Sequence, residues 1–235
     1  MSTLNPVFIA LDFPEASVAW RFLDRFPKNQ QLAVKVGMEL FYREGPAFVT
    51  ALKERGYTVF LDLKLYDIPH TVGQATKNIT RLGVDYLTLH AAGGIRMMTA
   101  AKEATLTQTK GPKLLAITQL TSFTEDELQA TQQLAVSLND SVIHLAQLAQ
   151  KSGLAGVISS AYESQAIHGA TSESFLSITP GIRLLGDEQG DQSRVMTPVQ
   201  AQQRGANGIV VGRSITQALD PVVTYEQVVT EFHKR

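Results

Sequence analysis

The sequence predicts an α/β protein of the (β/α)8 TIM-barrel class, with residues 1–235 as one domain. Three observations carry that expectation. Eight short apolar runs alternate with segments of helical periodicity. The 235 residues fall close to the ~250 usual for such a barrel. The first run leaves through Asp12-Phe13-Pro14, where a doubly wound open sheet, the competing arrangement, expects a glycine-rich turn.

The first apolar run is Val7–Asp12, followed by a helix over Glu15–Phe26 with Val18, Phe22 and Leu23 as its apolar positions. Leu32–Gly37 is the second strand, and a helix over Glu44–Arg55 stops at Gly56. In the third strand Val59, Leu61, Leu63 and Leu65 alternate with other residues until Ile68-Pro69 ends the run. A helix from about Thr71 to Leu82 follows and closes at Gly83. Tyr86–Ala91 is the fourth strand, followed by Gly93-Gly94 and a helix to about Thr107. Lys113–Leu120 is the fifth, with a helix from about Asp140 to Lys151 closing at Gly153. Gly156–Ser160 is the sixth, with a short helix near Glu163–Ile167, and Phe175–Pro180 the seventh. Thr197-Pro198 opens a helix ending at Gly205. Gly208–Arg213 is the eighth strand, with a short helix after it and a last helix over Val222–His233. The longest stretches without a pattern are 121–139 and 183–195.

Composition narrows the chemistry. With 21 basic and 22 acidic residues, bulk charge draws the chain to neither nucleic acid nor membrane, so an anionic ligand must be caught locally. The absence of cysteine removes disulfides, thiolate metal sites and thiol nucleophiles, and fits a reducing compartment. Met1–Pro6 lacks a basic, then apolar, leader pattern, and no apolar run approaches the ~18 residues of a membrane span. A soluble cytoplasmic protein is expected.

The third strand holds the puzzle. Alternation places Asp62 and Lys64 on one face, opposite the leucines, so two charges point into a protein interior. Unpaired, each would cost several kcal/mol, roughly. A buried ion pair that merely holds the sheet is the plain alternative, but such pairs stabilise poorly, whereas a carboxylate and an ammonium in a dry strand end suit catalysis. Sites in this fold lie at the carboxyl ends of the strands. Asp12, Lys35, Asp62 and Lys64 then form an alternating series of charges on three adjacent strand ends, each keeping its neighbours ionised. Asp67 adds a carboxylate at the strand exit.

The other side of the barrel predicts a phosphate cup. The seventh strand leaves through Pro180-Gly181-Ile182-Arg183 and the eighth through Gly212-Arg213-Ser214, in the loops that bind phosphate in this fold. Arg213 supplies charge-assisted bonds. The polar segment 183–195, with two glycines, reads as a lid closing on a phosphate, with Gln192 reaching it. Thr118, Thr121 and Ser122 are candidates to hydrogen-bond a planar ring. His90 faces inward beside Thr88 and is assigned no catalytic role; without a second histidine at ligand spacing, no metal site is expected. Trp20 and Met97-Met98 read as packing.

On these residues the chain resembles the orotidine 5′-phosphate decarboxylase family. Asp62-Leu63-Lys64-Leu65-Tyr66-Asp67-Ile68-Pro69 is similar to its D-x-K-x-x-D-I-P signature. The resemblance spans the chain through Ala10-Leu11-Asp12, Lys35-Val36-Gly37, His90-Ala91-Ala92-Gly93-Gly94, Gln119-Leu120-Thr121-Ser122, Pro180-Gly181-Ile182-Arg183 and Val211-Gly212-Arg213. His70 departs from it, standing where many relatives carry asparagine.

The resemblance implies cofactor-independent, metal-free decarboxylation of orotidine 5′-phosphate to uridine 5′-phosphate, with Lys64 as proton donor. Asp12, Lys35 and Asp62 would contact ribose hydroxyls or the Lys64 network. Thr121 or Ser122 would meet the pyrimidine, and Pro180, Arg183, Gln192, Gly212 and Arg213 would line the phosphate end. It also implies a homodimer in which Asp67 and Thr71 reach the partner's site. Relatives of the fold that act on 3-keto-gulonate phosphate or hexulose phosphate share D-x-K-x-x-D but use magnesium; Ile68-Pro69 and the long lid argue against them. A silent nucleotide-phosphate sensor is the other alternative, disfavoured by intact Asp62, Lys64 and Asp67.

Overall fold

The computed structural model describes residues 5–187 and 195–234. Its strands are β1 (Val7–Ala10), β2 (Ala33–Gly37), β3 (Thr58–Leu65), β4 (Tyr86–His90), β5 (Lys113–Ile117), β6 (Gly156–Ile158), β7 (Leu176–Thr179) and β8 (Gly208–Val211). All neighbouring pairs are parallel, and β8 returns to β1, closing the barrel in sequence order. The helices between them are α1 (Ala16–Leu23), α2 (Met38–Glu54), α3 (Pro69–Thr80), α4 (Gly94–Thr105), α5 (Glu125–Gln132), α6 (Leu138–Lys151), α7 (Ser164–Ala170), α8 (Pro198–Gln203), α9 (Arg213–Thr216) and α10 (Pro221–His233). Among the described residues no helix is long and apolar enough to cross a membrane.

Alternation along the strands sorts the apolar side chains into two cores. Inside the barrel, Phe8, Ala10, Phe60, Leu115, Ile117, Ile158, Ile178 and Val210 form one cluster. Phe8 meets the rings of Phe60 and Tyr86 edge-on, each at 5.2 Å, and fills the floor of the barrel. The intervening strand residues, such as Ile9, Val34, Leu61 and Leu87, face outward and pack beneath the helices. Full burial of each large side chain contributes roughly 1.5–3 kcal/mol. Trp20 packs on Phe48 at 4.9 Å, and Met97 and Met98 are buried, as expected for packing residues.

Three local features differ from the sequence reading. The helix expected from Glu44 begins instead at Met38 and is broken at Gly45, whose φ of 69° is not helical; Pro46 then restarts it. The first half buries Leu40 but is too short to show a period. The stretch 121–139 contains α5, whose N-terminus is a capping box: Thr124 Oγ1 accepts from Glu127 N–H at 3.2 Å, and Glu127 Oε2 accepts from Thr124 N–H at 2.8 Å. Only Leu128 of this helix is buried, so no apolar stripe announced it. Finally β3 is bulged: Leu61 pairs with Leu87 and Leu65 with Leu89, so Asp62, Leu63 and Lys64 lie opposite Thr88 alone.

β6 approaches β7 closely because Gly156 has no side chain. A Cβ there would lie 2.5 Å from Leu176 Cβ and nearer still to its carbonyl oxygen, and both strands are fixed in the closed sheet. Gly156→Ala is expected to cost about 1–3 kcal/mol and lower Tm by several degrees in thermal unfolding; an unchanged Tm would contradict this packing.

Candidate active site

The charged residues gather above the aromatic floor because they continue the inward parity of the strands. On β2 and β3 the inward positions run from Ala33 and Phe60 below to Lys35 and Asp62 above. Asp12 lies two residues beyond the end of β1, in the loop and not in the strand as expected. The four groups form a continuous relay. Lys35 Nζ is 3.0 Å from Asp12 Oδ1 and 3.9 Å from Asp62 Oδ2, and Lys64 Nζ is 2.9 Å from the same Asp62 Oδ2. The side chains of Lys35, Asp62 and Lys64 are 12%, 14% and 27% exposed, against 61% for Asp12. Asp62 is therefore the buried hub and Asp12 the solvent-facing end. Gly37 leaves room for the relay, since a Cβ there would come 3.1 Å from Lys35 Nζ.

Simple alternation does not explain how Lys64 reaches Asp62. Lys64 has φ 52°, in the left-handed region that side chains other than glycine seldom occupy, at a cost of order 1–3 kcal/mol. The bulge and this turn bring its ammonium back onto the inward Asp62. Thr88, placed by the sequence only as an inward neighbour of His90, joins the two residues. It is buried on β4, donates to Asp62 Oδ1 at 2.8 Å and accepts from the Lys64 backbone N–H at 2.9 Å. Its signal was parity, since Tyr86, Thr88 and His90 occupy alternate positions of one strand.

His90 lies at the end of β4 with its ring 5.3 Å from that of Tyr66. Burial holds its imidazole below the usual range, the nearby Lys64 ammonium adds to this, and Asp62 opposes it.

A cavity of about 690 Å³ opens over the relay. Asp12, Lys35, Asp62 and Lys64 line one side, and Pro180, Arg183, Gly212 and Arg213 another. Ala10, Phe60, Ile117, Ile158 and Val210 make an apolar floor suited to the face of a planar ring. Thr121 and Ser122 complete the wall after β5, together with Gln119, which the sequence reading did not single out as a site residue. Gln119 and Gln132 of α5 exchange amide hydrogen bonds at 3.0 and 3.1 Å, so α5 is fastened to this wall. Thr118 instead donates to the Ile158 carbonyl at 3.1 Å and is a wall-stitching hydroxyl outside the cavity lining.

At the cationic end, Gly181 adopts φ 77° after Pro180. Arg183 N–H then donates to the Met196 carbonyl at 3.0 Å, and a parallel bridge joins Ile182 to Met196, so the two ends of the 183–195 segment meet. Gln192 lies outside the described residues. Arg213 opens α9, the short helix expected after β8. Asp67 and Thr71 do not line this cavity; both are exposed at the β3–α3 corner, where Asp67 Oδ1 accepts from Ile68 N–H at 2.6 Å. Among the described residues no three His, Cys, Asp or Glu side chains cluster as a metal site would require.

Comparison with known proteins matches this arrangement to one family. The model of the orotidine 5′-phosphate decarboxylase / HUMPS family matches residues 5–228. The chain is 52% identical to the orotidine 5′-phosphate decarboxylase of Oenococcus oeni, covering 97% of this chain and 99% of the relative. It is 51% identical to the enzyme of that name from Enterococcus faecalis, over 97% and 98%. Among solved structures, orotidine 5′-phosphate decarboxylase from Lactobacillus acidophilus superposes with a TM-score of 0.88 at 38% identity, covering 97% of this chain and 99% of that one. An uncharacterized conserved protein from Geobacillus kaustophilus gives 0.87 at 44%, over 97% and 100%. With a signature strand, a charge relay and a cationic cup in one cavity, and relatives matching along nearly the whole length, the chain belongs to the orotidine 5′-phosphate decarboxylase / HUMPS family.

Proposed function

We propose that the chain decarboxylates orotidine 5′-phosphate to uridine 5′-phosphate in pyrimidine biosynthesis, without a cofactor. The observation that carries this reading is the Asp62–Lys64 pair, 2.9 Å apart, in one cavity with Arg183 and Arg213 above an apolar floor. Half-identical relatives bearing the decarboxylase name support it over the sugar-phosphate branch of the same family.

When CO₂ leaves C6, the bonding pair stays on that ring carbon in an in-plane orbital, orthogonal to the π-system of the pyrimidine, which therefore cannot accept it. The protein must therefore stabilise that charge directly. Lys64 does so as an ammonium beside C6 and then transfers a proton from Nζ to the carbon. Asp62 holds this ammonium in place and, through Lys35 and Asp12, joins it to the ribose hydroxyls. Thr121 or Ser122 hydrogen-bonds the ring. Arg183, Gly212 and Arg213, with Gln192, take the phosphate; binding there, far from C6, drives closure of the 183–195 segment and organises the site.

The active unit is a homodimer in which Asp67 and Thr71 of each protomer complete the site of the other. Their exposure, with the apolar Tyr66 and Ile68 on either side of Asp67 also exposed, supports this reading. Met38 and Tyr42 on α2 and Ile95 on α4, the helices that follow the strands on either side of β3, are exposed as well. A nucleotide-synthesis enzyme without cysteines or bulk charge fits the cytoplasm and has no nucleic-acid or membrane partner.

Purified protein is expected to convert orotidine 5′-phosphate with EDTA present, and Lys64→Ala to lose at least about 10²–10⁴-fold in kcat; loss of wild-type turnover on chelation would favour the magnesium-dependent relatives. Equal mixing of Lys64→Ala and Asp67→Ala subunits, dissociated and reassembled, is expected to recover about a quarter of wild-type activity, because half the dimers carry one intact site. Activity no greater than that of the separate parents would contradict a shared site.

A further inference from the structure

The bulge in β3 creates a local shortage of backbone partners. Three residues, Asp62 to Lys64, face one, Thr88, so the ladder between β3 and β4 is interrupted where the catalytic lysine sits. The Thr88 side chain bridges the gap. Its hydroxyl accepts from the Lys64 backbone N–H at 2.9 Å and donates to Asp62 Oδ1 at 2.8 Å. A hydroxyl has one proton and two lone pairs, so this single group holds both ends of the bulge at once. Thr88 is fully buried, and water does not reach it to take its place.

Both bonds bear on the geometry of Lys64. The bond to its N–H fixes a peptide turned out of the strand by the φ of 52°. The bond to Asp62 fixes the carboxylate rotamer, leaving Oδ2 for Lys64 at 2.9 Å and Lys35 at 3.9 Å. Thr88 itself does not line the cavity. We infer that Thr88 is a positioning residue for the decarboxylation: its hydroxyl locks the bulge in the form that aims the Lys64 ammonium at the reacting carbon. This inference rests on the reading of Lys64 as proton donor given above.

Thr88→Val keeps the volume and removes the hydroxyl, whereas Thr88→Ser keeps the hydroxyl and removes the methyl. Displacing a reacting group by about 1 Å can cost roughly 10²-fold, so Thr88→Val is expected to lower kcat by about that factor. KM should change by less than about threefold, because the phosphate cup is untouched, and Thr88→Ser should recover kcat to within about fivefold of wild type. A purely structural hydroxyl would lower Tm in Thr88→Val, where it is lost, while leaving kcat near the wild-type value. Crystal structures of the variants give a readout that does not depend on turnover. In Thr88→Val, Lys64 should leave the left-handed region or its Nζ should move beyond ion-pair distance of Asp62, while Thr88→Ser retains both. Should Thr88→Val fail to fold, Thr88→Ala, compared with Thr88→Ser so that only the hydroxyl differs, takes its place under the same criteria. Wild-type kcat in the valine variant, an equal fall in both variants, or an unchanged bulge without the hydroxyl would overturn the inference. Absence of turnover in the wild type would overturn the reaction itself, and the variant structures would still decide the role of Thr88.

Discussion

The carboxylate of Asp62 is the constraint on which the site depends. It lies between two ammonium groups, Lys35 and Lys64, and both lysine side chains are largely withdrawn from water. Removing one member of a buried pair typically costs about 3–5 kcal/mol, because the other charge is left uncompensated. Asp12, largely exposed, contributes far less through its contact with Lys35, within the roughly 0–1 kcal/mol of a surface pair. The relay thus has a fixed inner end and an adaptable outer end. A fixed inner end suits the proposed reaction, in which charge develops on carbon, since preorganised groups need not rearrange as the bond breaks.

The barrel makes this arrangement affordable in structural terms by separating hydrophobic and polar layers along its axis. Phe8, Phe60 and Tyr86 close the floor with edge-on ring contacts, and the next inward positions of β2, β3 and β4 carry Lys35, Asp62 and Thr88. One residue of slip in β2 would turn Lys35 into the helix-facing core, so the register that buries Val34 and Val36 also aims the lysine. At Lys64 the same rule is deliberately broken. The bulge spends backbone strain at one position to place two charges of one strand within 2.9 Å of each other. Strain confined to one residue is tolerable in a closed sheet where β3 keeps its regular register with β2, and β4 with β5.

Much of this was legible in the sequence because it follows from period and spacing. The eight strands, the inward parity of Lys35 and Asp62, and the glycine-arginine exits of β7 and β8 are one-dimensional patterns, and the fold returns them to one cavity. The D-x-K spacing pointed to a pair, but the reason given for it, simple alternation, was incomplete: a φ of 52° at Lys64 leaves no trace in residue type. Thr88 was legible only as an inward position of its strand, and its task was hidden for a related reason. A threonine in a strand is ordinary, and only the mismatch of β3 against β4 shows that its hydroxyl has two tasks. α5 was missed because it buries a single side chain, although its capping box, Thr124 to Glu127, was present to be read. Asp67 and Thr71 were placed by resemblance alone, and within one chain they stand outside the cavity.

The most direct test of the account is a crystal structure with uridine 5′-phosphate bound. Lys64 Nζ is expected about 3–3.5 Å from C6, within contact of Asp62, with the ring on the apolar floor and the phosphate between Arg183 and Arg213. A nucleotide bound with C6 away from Lys64, or with its phosphate over the Asp12–Lys35–Asp62 relay, would contradict it.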